Sequence, residues 1–156
     1  MYISGGVAPW LALVFFASFQ AQVQAQAGLG GIESSITSDQ KALQGRKVKV
    51  TSKKNYTVHE ITLTGRVVRE YMLADGTIFA VSWSGIAQPD LSVLLGNYYK
   101  EYEDASTRLR TVKRGGSHTV QSENIIVEKS GHMRDVQGRA YIPDKMPSGF
   151  LPGEIR

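Results

Sequence analysis

Hydrophobic and polar positions change period several times along the chain. It opens on an apolar run, Val7 to Phe19, interrupted only by Pro9 and Ser18, and then passes into the small-residue segment Gln20 to Ala27. The run is too short for a bilayer core that needs about 20 apolar residues. Ala25, Gln26 and Ala27 form the A-x-A pattern that signal peptidases accept, so residues 1–27 are expected to be a cleaved signal peptide, cut after Ala27. Val23, Gln24 and Ala25 offer a second site, and Met1 to Gly6 lacks the Lys or Arg with which export signals usually begin.

Beyond the signal, Gly28 to Gly31 reads as a flexible lead-in, and Ser38, Asp39 and Lys41 to Leu43 as a short capped helix of about two turns ending at Gly45. Arg46 to Asn55 is charged. Val48 and Val50 alternate there with Lys47 and Lys49, the pattern of an edge strand or an exposed link. Three β-rich runs follow, Tyr56 to Leu63, Val67 to Leu73 and Thr77 to Trp83, separated by Thr64-Gly65 and Asp75-Gly76. These predict an antiparallel meander. Counting outward from two-residue loops sets Ile61 opposite Val68, His59 opposite Glu70, Thr57 opposite Met72, Met72 opposite Phe79, Glu70 opposite Val81 and Val68 opposite Trp83. One face then gathers Ile61, Val68, Met72, Phe79, Val81 and Trp83 as the core. The other carries Tyr71, Leu73 and Ile78, with Glu60 and Arg69 as a cross-strand ion pair.

From Pro89 and Asp90 the period becomes helical. Leu91, Leu94, Leu95, Tyr98 and Tyr102 form one stripe of a helix that fades near Arg108. Lys113 to Ser117 reads as a basic loop, Asn124 to Lys129 as a strand, and His132 to Val136 and Arg139 to Ile142 as further strands with turns at Gly131 and Gly138. The tail from Pro143 onward holds three of the five prolines and is expected to wrap over the body with Phe150 as its anchor. The fold class is α+β: an antiparallel meander of about five strands with one main helix packed on one face. The division is a signal peptide over 1–27, an N-terminal segment with a short helix over 28–55, and the α+β domain over 56–156.

Composition narrows the location. All 18 Lys and Arg and all 14 Asp and Glu lie after Ala27, so the 129 residues from Gly28 onward keep the net charge of +4. Such a surface favours anionic lipid or cell-wall polymer. The densest basic stretch, Arg46 to Lys54, has no interleaved aromatic, and no nucleic acid is expected as a partner. There is no cysteine, which removes disulfides, thiol catalysis and thiolate metal sites. An exported domain of this size without disulfides suits a bacterial periplasm, and the expected location is periplasmic or secreted, with membrane contact only during export.

The sharpest chemical constellation is His59 with Glu70, which predicts a carboxylate beside an imidazole on the apolar face, a general base or a satisfied polar pair. His132 is the further catalytic candidate. His118 and His132, near Glu123, Glu128 and Asp135, lack the close spacing of zinc motifs, so no metal site is expected. Ser82 and Ser84 lack a G-x-S-x-G setting, and no cofactor motif is present. Tyr71, Leu73 and Ile78, with Tyr99 off the main helical stripe, are the candidate binding residues, a docking surface if that face is open.

The segments Tyr56-Thr-Val-His-Glu-Ile, Val67-Val-Arg-Glu-Tyr, Asp75-Gly-Thr-Ile-Phe-Ala-Val-Ser-Trp, Pro89-Asp-Leu with Leu94-Leu-Gly, and Ser130-Gly-His-Met-Arg with Gly138-Arg-Ala-Tyr-Ile-Pro resemble a bacterial family known as domain of unknown function 2844. The resemblance spans nearly all of the chain after Ala27. It implies an exported bacterial protein and supplies no catalytic residues. Two functional classes stay open: a noncatalytic envelope module that binds an envelope protein or cell-surface polymer, and a small hydrolase-like enzyme using His59 and Glu70.

Overall fold

The computed structural model describes residues 28–110 and 118–156. The expected signal peptide and the whole of the Lys113 to Ser117 loop lie outside them. The fold is α+β. Its strands are β1 (Lys47–Ser52), β2 (Tyr56–Leu63), β3 (Arg66–Leu73), β4 (Ile78–Gly85), β5 (His118–Gln121), β6 (Ile126–His132) and β7 (Asp135–Tyr141). They form one antiparallel sheet in the order β1-β2-β3-β4-β7-β6-β5. The sheet has seven strands rather than about five: the charged 46–55 segment is an edge strand, His118–Gln121 adds the opposite edge, and the expected strands at His132 to Val136 and Arg139 to Ile142 merge, from Asp135 on, into the single strand β7.

Helix α1 (Glu33–Ala42) starts five residues before the predicted one and runs to ten residues. No side chain caps it. Its start is fixed by a bridge from Ile32 to Thr77, at the beginning of β4, with Glu33 favourably placed in its first turn. Its end is a Schellman motif: Gly45 N–H donates to Gln40 O and Gln44 N–H to Lys41 O, with Gln44 itself at φ 58°. The predicted single helix is two, α2 (Leu91–Leu95) and α3 (Tyr99–Arg110), separated by a 3₁₀ turn at Gly96–Tyr98. Asp90 caps α2 by accepting from Ser92 N–H, and Gly96 ends it at φ 51°. The buried stripe continues across the break through Tyr102 and Ala105.

Two predictions of strand geometry are corrected. The β3–β4 loop has three residues, Ala74 to Gly76: Leu73 N–H donates to Thr77 O, and Gly76 takes positive φ. Met72 therefore faces Ile78 rather than Phe79, and a bulge at Phe79 restores the predicted register from Tyr71 opposite Ala80 onward. Ile78 thus packs in the main core under the helices, and Phe79 turns to the reverse face. In the second hairpin the turn is Met133-Arg134, with Arg134 at φ 67°, and Gly131 and Gly138 lie inside strands. Gly138 is required there by packing: a Cβ would lie 2.2 Å from the Trp83 ring.

Both faces of the sheet are covered. Under the helices lie Leu29, Ile61, Val68, Ile78, Val81, Trp83, Leu94 and Leu95, all essentially inaccessible. On the reverse face Tyr71, Phe79, Ala80 and Tyr141 pack beneath Phe150 and Ile155 of the tail. The Phe150 ring stands edge-on 5.0 Å from Tyr56 and 5.3 Å from Phe79, as aromatic quadrupoles prefer. The lead-in is not flexible either. Leu29 N–H donates to Leu94 O, Gly30 N–H to Ile78 O and Ile78 N–H to Gly31 O, which threads Gly28 to Gly31 between α2 and β4.

Candidate functional site

Beneath α1, where it crosses β2 and β3, three titratable side chains are buried together. Asp39 reaches the sheet because it shares the inward stripe of α1 with Ser35, Ile36 and Leu43. Glu70 and His59 stand opposite each other on β3 and β2, as the sequence predicts. Glu70 and Asp39 are fully buried and His59 is 6% exposed. Asp39 Oδ2 accepts from Gly28 N–H at 2.7 Å. No N–H or O–H among the described residues reaches Asp39 Oδ1 or either oxygen of Glu70, so the bond open to them is to each other, through a shared proton.

Burial, reinforced by the neighbouring Asp39 carboxylate, pushes Glu70 well above its ordinary range. Burial also raises Asp39, against the hydrogen bonds from Glu70 and the Gly28 N–H. Of the two, Asp39 is the better seat for a negative charge, since it alone accepts an N–H, from Gly28. Burial lowers His59, opposed by the charge of Glu33, and its Nε2 has no partner. The Asp39–Glu70 pair can share a proton, and His59 stands apart from that exchange. For acyl chemistry the trio lacks a free nucleophile: Ser35 Oγ donates to Ile32 O at 2.7 Å, and Ser82 is buried on the reverse face of β4. His132 ends β6, four strand spacings from β2, which is about 19 Å. It does not join His59. His118 starts the edge strand β5, and among the described residues no three His, Asp or Glu side chains group as metal ligands.

The reverse face carries an open groove of about 740 Å³ between β1–β3 and the tail. Lys49, Lys53, Arg69 and Arg156 line it against the acids Glu60 and Glu154, with Tyr56, Val58, Tyr71 and Leu151 as its apolar part. The predicted Glu60–Arg69 pair is present at 2.7 Å. Arg69 also donates to Arg156 O at 3.1 Å, and Tyr71 OH both donates to Arg156 O and accepts from Arg156 N–H. On the other half of the sheet Arg139 repeats this arrangement, paired with Glu128 and donating to Pro152 O at 2.7 Å. Two arginines thus pin the tail across the face. Lys49 and Lys53 are exposed and make no ion pair among the described residues.

Of the candidate binding residues, Tyr71 lines the groove but is itself 4% exposed, Leu73 is half-buried beside it, and Ile78 is buried on the opposite face. Tyr99 packs half-buried on the main core, its ring 6.2 Å from that of Tyr102. The four do not form one surface. Sequence reasoning missed Asp39 as a site residue, whose signal was an acid on the helical stripe that also carries Ile36 and Leu43. It also missed Lys49 and Lys53 as a site, although alternation puts Lys49 with Thr51 on one face of β1 and Lys53 follows directly after its end.

No curated protein matches the chain, and no solved structure does. The model of the family described as "Protein of unknown function (DUF2844)" matches residues 25–155, nearly the whole of the folded body. The chain belongs to that family.

Proposed function

We propose that this is a bacterial envelope protein which, after export and removal of residues 1–27, binds an anionic cell-surface polymer without chemistry, in the periplasm or outside the cell. The observation that carries the reading is the groove lined by Lys49, Lys53, Arg69 and Arg156 beside the edge strand β1. Its volume lies within the range of ligand sites, about 300 to 1,000 Å³. Its two lysines make no ion pair among the described residues, and its four basic side chains outnumber the acids Glu60 and Glu154, so an acidic chain lying along it gains net attraction. The alternative, a hydrolase using His59 and Glu70, has less support, because both are enclosed and no nucleophile stands beside them.

The test is calorimetric titration with dextran sulfate against neutral dextran. The sulfated polymer should bind, weakening as salt rises, and neutral dextran should not. Lys49→Glu with Lys53→Glu should cost at least tenfold in affinity, about 1.4 kcal/mol or more. Equal binding by the variant, or no binding by the wild type, overturns the proposal.

A further inference from the structure

We propose that the amine released by cleavage after Ala27 is a structural counter-ion: as an α-ammonium, the nitrogen of Gly28 pairs with the buried Asp39–Glu70 carboxyl pair and locks the new terminus between α2 and the sheet. The inference rests on the export reading above and adds what cleavage does to the fold.

Four observations converge on Gly28. Its nitrogen is 2.7 Å from Asp39 Oδ2, in a buried bond. Gly28 is itself buried, and the next residue, Leu29, is inaccessible and donates to Leu94 O. The position admits only glycine: φ is +78°, and a Cβ would lie 2.3 Å from Val93 O and 2.5 Å from Leu94 O. Those carbonyls put partial negative charge around the residue. Finally, the pair beside it is acidic and enclosed, with His59 held neutral by burial and Glu33 as the other charged group acting on that histidine. A buried carboxylate without a cation is costly, and a full positive charge compensates it better than a neutral amide does.

Hydrolysis by an envelope signal peptidase supplies that charge. Water adds across the Ala27–Gly28 peptide bond, Ala27 leaves with a carboxylate, and Gly28 keeps an amine that takes up a proton. In the uncut chain the same nitrogen offers one N–H and no charge. The scissile bond that the A-x-A pattern marks is therefore the one whose product nitrogen already faces a buried acid.

The experiment starts from the full chain expressed in a bacterial host with an export pathway. Intact mass of the envelope fraction should show a chain beginning at Gly28. Acylation of its terminal amine at pH 7 should be at least about tenfold slower in the folded protein than in urea, since a free terminal amine titrates near 7.7 to 8.0 and pairing with a carboxylate holds it protonated. Asp39→Asn should return the folded rate to near the unfolded one. As a second arm independent of that variant's folding, a chain beginning at Ala27 should fold, label at the unfolded rate and melt at a lower temperature. A cut elsewhere, a folded rate equal to that in urea, or equal protection of the Ala27 chain overturns this inference and leaves polymer binding to its own assay. An uncut chain overturns the export reading as well.

Discussion

A carboxyl group without access to water titrates according to what surrounds it, and Glu70 makes this a statement about stability. Glu70 lies well above its ordinary 4.5, so the folded chain keeps a proton that the unfolded chain releases. The stability this contributes is complete below about pH 4.5 and is lost as pH rises toward the folded value. Asp39 acts in the same direction from 3.8. His59 acts oppositely: it lies below 6.5, so stability falls as pH drops through 6.5 and the unfolded chain takes up a proton the folded chain refuses. Glu70→Gln keeps an N–H donor toward Asp39 and removes the titration. The variant should melt higher than wild type at pH 8, the gap should narrow by pH 5, and the His59-linked fall below pH 6.5 should remain in both. A wild-type profile parallel to that of the variant from pH 5 to 8 would show that Glu70 carries no proton in the fold.

At the scale of elements, the tail behaves as a strap held by a few bonds. Tyr71→Phe removes the hydroxyl that both donates to and accepts from Arg156, and should cost about 1 to 2 kcal/mol. The loss should be local: the Arg156 amide should exchange about tenfold faster with solvent, while amides of β3 and α3 keep their protection. Uniform acceleration throughout the molecule would mean that the tail is not a separate strap. The same scale shows what a sequence can disclose. The hairpin β2–β3 was legible because Thr64-Gly65 is a two-residue loop flanked by regular alternation, and its register placed His59 opposite Glu70 and Glu60 opposite Arg69. The β3–β4 loop also advertised Asp-Gly, but three-residue and two-residue loops share that dipeptide, and the choice moved Ile78 and Phe79 to opposite faces. Asp39 stayed hidden because a helical stripe says that a residue faces inward, never which strand it meets. The groove stayed hidden because its far wall is the tail, roughly 80 to 90 residues away along the chain.

At the scale of the molecule, one sheet separates two cores and couples them. Trp83 lies under the helices, and Phe150 closes the aromatic cluster on the reverse side. Alternate residues of the same strand serve both: on β4, Val81 and Trp83 face the helices, and Ala80 faces the tail. A strand cannot loosen one face and keep the other, because both depend on a single ladder of backbone bonds. Phe150→Ala empties the centre of the smaller cluster and should cost about 3 to 5 kcal/mol, a fall in melting temperature of roughly 10 °C or more. Trp83 is the sole tryptophan after Trp10, so its fluorescence in the cleaved protein reports the helix side alone. If the sheet makes one cooperative unit, the Phe150→Ala midpoint read from Trp83 will coincide with that read from far-ultraviolet circular dichroism. A tryptophan transition left at the wild-type temperature while the dichroism midpoint falls would instead make the helix side a core that stands without the tail.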